Sequence, residues 1–315
     1  MPFRVLSIKI AGSDPSVLSC YNKALEWVRK NTIPEQGVVI TSKQRSSYPE
    51  VTGYMISTLY DAGENVLAEQ YARYLSDTQR PNGSFVGPDR REYVFDSGQA
   101  LRGLVRAYQH DKKYGTPALK AAEFIASHIE EDGRIQSPNE KTWIGIPEHI
   151  HVFALPPLVQ AGTIFGKSEY LDKAERSMAF YKKSSDILDD HYLTHFVAYT
   201  IDGFVDMGES EFIYPLVKNV FSRQKRNGSI PAYPNVRWTC STGLAQLAII
   251  AHKLHMYQEA EKAIDHLCKL QNPSGGFYGS YGLGAKYFPK EEISWANKFF
   301  LDAIHLRAQR LKTYE

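Results

Sequence analysis

Gln79-Arg80-Pro81-Asn82-Gly83-Ser84-Phe85 recurs in outline further along the chain. Gln224-Lys225-Arg226-Asn227-Gly228-Ser229-Ile230 and Gln271-Asn272-Pro273-Ser274-Gly275-Gly276-Phe277 share its Gln-x-x-x-Gly-x-apolar pattern. Glu131-Asp132-Gly133-Arg134-Ile135 is a degenerate fourth copy. The glycines at 83, 133, 228 and 275 are separated by 50, 95 and 47 residues. That is one, two and one units of about 48, the signature of a structural repeat. Each glycine suits a left-handed helix end, with the following apolar residue folding back onto that helix. The Asn-Gly-Ser triplets at 82–84 and 227–229 match glycosylation sequons, but Asn-Gly reads first as a turn.

An amphipathic helix precedes each turn. Tyr170, Leu171, Ala174, Met178 and Tyr181 fall on one face of residues 168–183, and Ala260, Ala263, Ile264, Leu267 and Leu270 on one face of 258–271. Thr116-Pro117 and Asp14-Pro15 read as a cap followed by proline at the first helical position. The pattern predicts outer helices starting near residues 15, 66, 117, 168, 211 and 258. After each turn comes a helix that is apolar nearly all round and rich in small residues, over roughly 52–62, 95–109, 150–164, 193–207, 240–255 and 295–310. A helix with no polar face must be buried. Six buried helices inside six half-exposed ones predict an all-α, (α/α)6 toroid formed by residues 1–315 as one domain. An open helical solenoid is the alternative.

Composition narrows the function. The chain has 315 residues and 43% of them are hydrophobic, enough for a full core. Net charge is +2, with no long run of one sign, so nucleic acid is not an expected partner. No segment reaches transmembrane length, and Met1-Pro2-Phe3-Arg4-Val5-Leu6 lacks the basic start and apolar core of a signal peptide. Cys20, Cys240 and Cys268 form neither a disulfide framework nor a zinc ribbon. The expectation is a reducing cytoplasm, with no cofactor and no metal. Oligomeric state is not legible.

In a toroid the inner helices run in one direction, so their N-terminal ends share one mouth, where a pocket is expected. Polar and aromatic residues collect there: Tyr48 and Glu50; Tyr93 and Asp96; Glu148, His149 and His151; His191 and His195; Tyr233, Arg237 and Trp238; Lys290, Glu291, Glu292 and Trp295. Each has a plainer reading. Asp96, ahead of Ser97-Gly98-Gln99, suits a helix cap as well as a catalyst. Glu291 and Glu292 suit the dipole of the last helix, and His195 suits a hydrogen-bonded core position. His149 and His151 point to opposite sides of any helix containing both. His191 and His195, four apart, lack a carboxylate or cysteine at a telling distance for zinc. The stretch Gly275-Gly276-Phe277-Tyr278-Gly279-Ser280-Tyr281-Gly282-Leu283-Gly284 reads either as an aromatic flap, with Tyr281 over the pocket, or as a loop covering the ring's edge.

Several segments together carry a resemblance. They are Ser47-Tyr48-Pro49-Glu50-Val51-Thr52-Gly53-Tyr54, Phe95-Asp96-Ser97-Gly98-Gln99, Leu193-Thr194-His195 with Ala198-Tyr199-Thr200, Thr242-Gly243-Leu244-Ala245-Gln246-Leu247-Ala248, Gly279-Ser280-Tyr281 and Trp295-Ala296-Asn297-Lys298-Phe299-Phe300-Leu301-Asp302-Ala303. The set resembles a bacterial family found with polysaccharide-biosynthesis genes and similar to the helical domain of glucuronyl 5-epimerases. The Gln-x-x-x-Gly turns also resemble those of squalene cyclases and protein prenyltransferases, but the Asp-x-Asp-Asp acid motif and a clear Asp/Cys/His zinc set are missing. The resemblance implies a helical toroid acting on a cell-surface polysaccharide or its precursor.

Three readings follow. In uronate epimerisation or elimination, His195 and Tyr199 suit base and acid, with Glu50 or His149 on the opposite side and Arg237 or Lys298 neutralising the sugar carboxylate. In glycoside hydrolysis two of Glu50, Asp96, Glu148 and Glu292 would flank the scissile bond. In a non-catalytic toroid that binds a glycan or a protein, the aromatic residues suffice. The expected partner in the first two is an oligosaccharide or polysaccharide, contacted by Tyr48, Tyr54, Glu148, Arg237, Trp238, Tyr281, Trp295 and Lys298.

Overall fold

The computed structural model describes residues 15–139 and 145–313. The predicted alternation is present. The outer helices are α1 (Pro15–Lys30), α3 (Asn65–Thr78), α5 (Gly115–Ser127), α7 (Ser168–Tyr181), α9 (Ser210–Phe221) and α11 (Tyr257–Leu270). The inner helices are α2 (Pro49–Asp61), α4 (Val94–His110), α6 (Leu155–Phe165), α8 (Thr194–Asp206), α10 (Ser241–Lys253) and α12 (Ser294–Thr313). Outer helices bury a single stripe, as α7 does with Tyr170, Ala174, Met178 and Tyr181. Inner helices bury almost every side chain, as α8 does from Thr194 to Phe204. The fold is an all-α toroid, and it closes: α12 packs against both α10 and α2, and α1 against α11 and α12.

Small residues let the inner helices touch. A side chain on Gly53 or Gly103 would collide with the facing backbone of α4 or α2, and one on Gly243 with Thr194 and His195 of α8. Substituting these glycines would push neighbouring walls of the ring apart.

The repeat turns work differently from expectation. α3 ends at Gln79 in extended conformation, and Gly83 sits four residues later at φ 89°. Its missing side chain admits the carbonyl of Lys120 on the next outer helix. Gly133, Gly228 and Gly275 likewise abut the carbonyls of Arg176, Lys262 and Lys23. The repeated glutamine explains itself here. Gln79 Nε2 donates to the carbonyls of Gly83 (3.1 Å) and Pro117 (2.9 Å). Gln224 Nε2 donates to Gly228 (3.4 Å) and Glu259 (2.9 Å), and Gln271 Nε2 to Gly275 (3.0 Å) and Cys20 (2.8 Å). Each of these three glutamine turns therefore staples its own hairpin to the next outer helix, and the last staples back to the first. Phe85, Ile135, Ile230 and Phe277, the apolar residues of the motif, are buried.

Two local expectations change. α6 begins at Leu155 rather than 150, because Pro156 and Pro157 cannot continue a helix begun upstream; Glu148–Ala154 form a 3-10 segment instead. At α5, Thr116 lies inside the helix rather than capping it: the residue before the helix is Tyr114, which makes no side-chain cap bond, and Asp111 caps the preceding 3-10 turn Lys112–Tyr114, its carboxylate accepting from the Lys113 amide at 3.0 Å. Asp14, the cap expected before α1, lies outside the described residues, as do Met1–Leu6.

Candidate active site

The inner-helix N-termini do meet at one mouth. A cavity of about 450 Å³ opens there, walled by Phe95, Ile150, Phe196 and Tyr199 and rimmed by Arg134, Glu148 and His151. Behind it lies a cluster of buried polar groups from α2, α4 and α8. The Tyr48 hydroxyl donates to Asp96 Oδ2 at 2.6 Å. Burial, then the Asp96 and Glu50 carboxylates, hold the Tyr48 phenol well above its usual range. Glu50 and Asp96 are 4% and 0% exposed, so neither is a solvated cap. Tyr48 immediately precedes α2, Glu50 is the second residue of α2, and Asp96 stands in the first turn of α4. Adjacent inner helices thus bring two carboxylates to one phenol.

Tyr54 and Tyr199 complete the cluster. Burial, then the neighbouring Tyr199 and Glu50, hold the Tyr54 phenol well above its usual range; burial, then Glu50, do the same for Tyr199. The His195 ring lies 4.6 Å from that of Tyr199, tilted by 45°, and its Nδ1 lies 2.6 Å from Gln246 Oε1. An amide oxygen only accepts, so Nδ1 carries the hydrogen and Nε2 the lone pair. Burial lowers the His195 pKa to about 4, so the ring is neutral at physiological pH.

Other candidates lie elsewhere. His149 turns away from the cavity, with Nδ1 2.9 Å from Thr200 Oγ1 and its ring edge-on to Tyr192, while His151 lines the cavity. Glu148 is at the rim, gripped in a bidentate pair by Arg134 at 2.8 and 2.7 Å, and that arginine holds its carboxyl below the usual range. Tyr93 turns its hydroxyl to the exposed Asp89. Trp238 is buried edge-on to Tyr233 at 5.7 Å, and Arg237 is exposed and does not line the cavity. Trp295 donates from Nε1 to the Tyr287 hydroxyl at 2.9 Å. His191 is exposed and pairs with Asp189, so it does not join His195. Lys298 faces the opposite end of the ring, where it pairs with Asp302 at 2.6 Å.

Glu291 and Glu292 are structural. Glu291 accepts from Thr41 Oγ1 at 2.8 Å, and Glu292 from Trp27 Nε1 at 2.6 Å and Asn272 Nδ2 at 2.8 Å. Tyr281 also serves the last turn: its hydroxyl accepts from the Tyr278 amide at 2.8 Å and donates to Asn272 Oδ1 at 3.4 Å. The glycine- and tyrosine-rich stretch is a fastened edge, since Thr239–Cys240 and Ser280–Tyr281 form an antiparallel pair. Sequence reasoning missed Tyr287, whose ring lies 5.8 Å from His195. It falls in an aperiodic loop, and only its position shortly before an inner helix could have marked it.

No family model matches the sequence, and no curated protein matches it. Solved structures do. An unsaturated glucuronyl hydrolase specific for heparin superposes with a TM-score of 0.76 at 16% identity, covering 95% of this chain and 99% of that one. An α-amylase from Clostridium perfringens gives 0.73 at 16% identity, covering 92% and 97%. Cellobiose 2-epimerase from Bacillus thermoamylovorans gives 0.72 at 10% identity, covering 93% and 99%. At these identities the likeness establishes the α/α toroid fold.

Proposed function

We propose that the chain is a carbohydrate-active enzyme that cleaves a glycosidic bond held at the mouth, with Asp96 and Glu50 supplying the acid and base. The observation that carries this reading is the Tyr48 hydroxyl, bonded at 2.6 Å to Asp96 and flanked by Glu50. Glycosidic cleavage needs one carboxyl group to protonate the leaving oxygen and a second to activate water or attack the sugar. Phe95, Phe196 and Tyr199 offer apolar faces for a sugar ring, and Arg134, Glu148 and His151 offer polar groups for its hydroxyls. Three similar structures are named for enzymes of sugars, which supports an oligosaccharide or polysaccharide substrate. Among the described residues no helix is long and apolar enough to cross a membrane. Cys20, Cys240 and Cys268 are free thiols, in keeping with the reducing cytoplasm we propose.

The second reading, proton abstraction from a uronate, is favoured by His195, whose neutral ring and defined tautomer suit a base beside Tyr199. It ranks lower because Arg237 is outside the cavity, Lys298 is bound to Asp302, and Arg134, the cation at the rim, is held by Glu148.

The test is incubation with neutral and uronic-acid oligosaccharides in deuterated water, followed by NMR. New reducing ends with neither deuterium at carbon 5 nor a 4,5-unsaturated uronate, lost in Asp96→Asn, support hydrolysis. Deuterium at carbon 5, or a 4,5-unsaturated uronate, lost in His195→Ala, would replace it with the second reading. Saturable binding with no turnover over the whole panel would leave a glycan-binding module.

A further inference from the structure

Tyr54 stands between two cavities. Its hydroxyl belongs to the mouth cluster, while its ring lines a second cavity of about 420 Å³ at the opposite end of the toroid. On that side Lys298 Nζ lies 4.9 Å from the Tyr54 ring centroid and 4.1 Å from that of Phe299. Lys298 is 6% exposed. Its ammonium is held by Asp302 at 2.6 Å, and Asp302 in turn accepts from Thr58 Oγ1 at 2.6 Å. Thr58 is one turn beyond Tyr54 on α2. Thr58, Asp302, Lys298 and the Tyr54 ring thus form a closed circuit between α2 and α12.

Stability alone is a weak reason for this circuit. A buried ion pair is often no better than well-packed apolar side chains of the same volume. A cation over an aromatic face does something apolar packing does not: it pulls on the ring's electrons and fixes the ring's plane.

We infer that Lys298 is a positioning residue that acts through Tyr54, orienting its ring and polarising its hydroxyl against Tyr199, whose side chain walls the mouth cavity. The inference rests on the mouth being the reaction site. It assigns Lys298 a role without contact to the sugar, in place of pairing with a uronate carboxylate. The groups that face the Tyr54 hydroxyl are Glu50, Tyr199 and Tyr287. Those that face Lys298 are Asp302, Arg102 and Asp202. Burial works against the ammonium and Asp302 works for it, with the balance lowering the lysine's pKa. The effect should therefore fade at lower pH than for an exposed lysine, whereas an arginine there would stay charged.

The test compares Lys298→Met, Lys298→Arg and the near-isosteric Asp302→Asn, each checked for an unfolding transition like the wild type's. Lys298→Met should lower kcat about 10-fold with KM within twofold, the scale of a desolvated cation–π contact. Lys298→Arg should restore most of kcat and move the alkaline limb of its pH profile upward. Should Lys298→Met fail to fold, Asp302→Asn takes its place and should lower kcat in the same way. Wild-type kcat in Lys298→Met, or no recovery in Lys298→Arg, overturns the inference. A second readout separates it from the proposed function. In protein carrying ¹³C at the tyrosine Cζ, the Tyr54 signal, assigned with Tyr54→Phe, should shift in Lys298→Met and return in Lys298→Arg. If no sugar is turned over, the proposed function fails while this signal still decides whether Lys298 acts on Tyr54; an unmoved signal overturns the link.

Discussion

The Tyr48 hydroxyl and the Asp96 carboxylate meet at 2.6 Å, joining the entrance of α2 to the first turn of α4. Neither group is exposed to solvent, and the bond ties two walls of the ring at the point where chemistry is proposed.

Asp96→Asn keeps the shape of the site and removes the proposed acid or base. It should reduce kcat by about 10²–10⁴-fold, the usual contribution of a positioned proton-transfer group. Tyr48→Phe, which leaves both carboxylates in place, should cost less, roughly 10-fold. Steady-state kinetics on the substrate found by the NMR screen checks both. An Asp96→Asn enzyme with normal kcat would remove Asp96 from the mechanism.

The neutral burial of His195 makes a prediction about acid. Its folded pKa, about 4, lies below the unfolded value of about 6.5, so the unfolded chain takes up the extra proton between those pH values. That contribution to stability is fully present above about pH 6.5 and is lost as pH falls toward 4, reaching roughly 3 kcal/mol. Urea midpoints measured between pH 7 and 4.5 should fall, and His195→Gln should flatten the slope. An equal slope in both proteins would contradict a neutral, buried His195.

The glutamine staple at the ring's seam should matter to stability and not to chemistry. Gln271→Ala removes the side-chain donor to the Cys20 and Gly275 carbonyls, the latter keeping Asn297 Nδ2, and should cost about 1 kcal/mol. Gly275→Ala should cost more, because its side chain would meet the Lys23 carbonyl and φ is 93°. Thermal unfolding orders the two variants; the reverse order would mean that the staple, rather than the close approach, controls the seam.

At the rim the expectation is inverted. Arg134 and Glu148 have side chains 54% and 44% exposed, where an ion pair adds little to stability. Arg134→Ala should leave the unfolding midpoint within about 1 kcal/mol of wild type. If the rim holds substrate hydroxyls, KM should rise several-fold with kcat unchanged. An unchanged KM would take Arg134 out of the binding surface.

Much of the fold was legible because it rests on periodicity. The 48-residue spacing of Gly83, Gly228 and Gly275 and the two kinds of helix between them are one-dimensional signals, and they identify twelve helices and their layers. The use of the turn glycines was not legible, since Lys120, Lys262 and Lys23 approach from other repeats. The mouth was readable in the same way: Tyr48, Glu50 and Asp96 stand at helix starts, and the ring's direction gathers them. Facing was harder. Lys298 and Trp295 are three residues apart on α12, yet Trp295 reaches Tyr287 near the mouth and Lys298 the far cavity. Glu292 looked catalytic by position, but Trp27 and Asn272, distant in sequence, claim it for the seam.

The closure of the ring also has a timetable. Asn297 Nδ2 bonds the carbonyls of Ala24 (3.3 Å) and Gly275 (3.1 Å), so the seam joins residues 273 positions apart. Glu50 and Tyr54 are made early, whereas the Tyr287 and Trp295 side chains that share their mouth come from the last hairpin. On the ribosome the early hairpins can stack as they emerge, but the mouth stays incomplete until α12 leaves the exit tunnel. A growing chain therefore holds only part of the mouth, and chains that stall before α12 leave an open edge on α2 and α10 for chaperones or proteases to find.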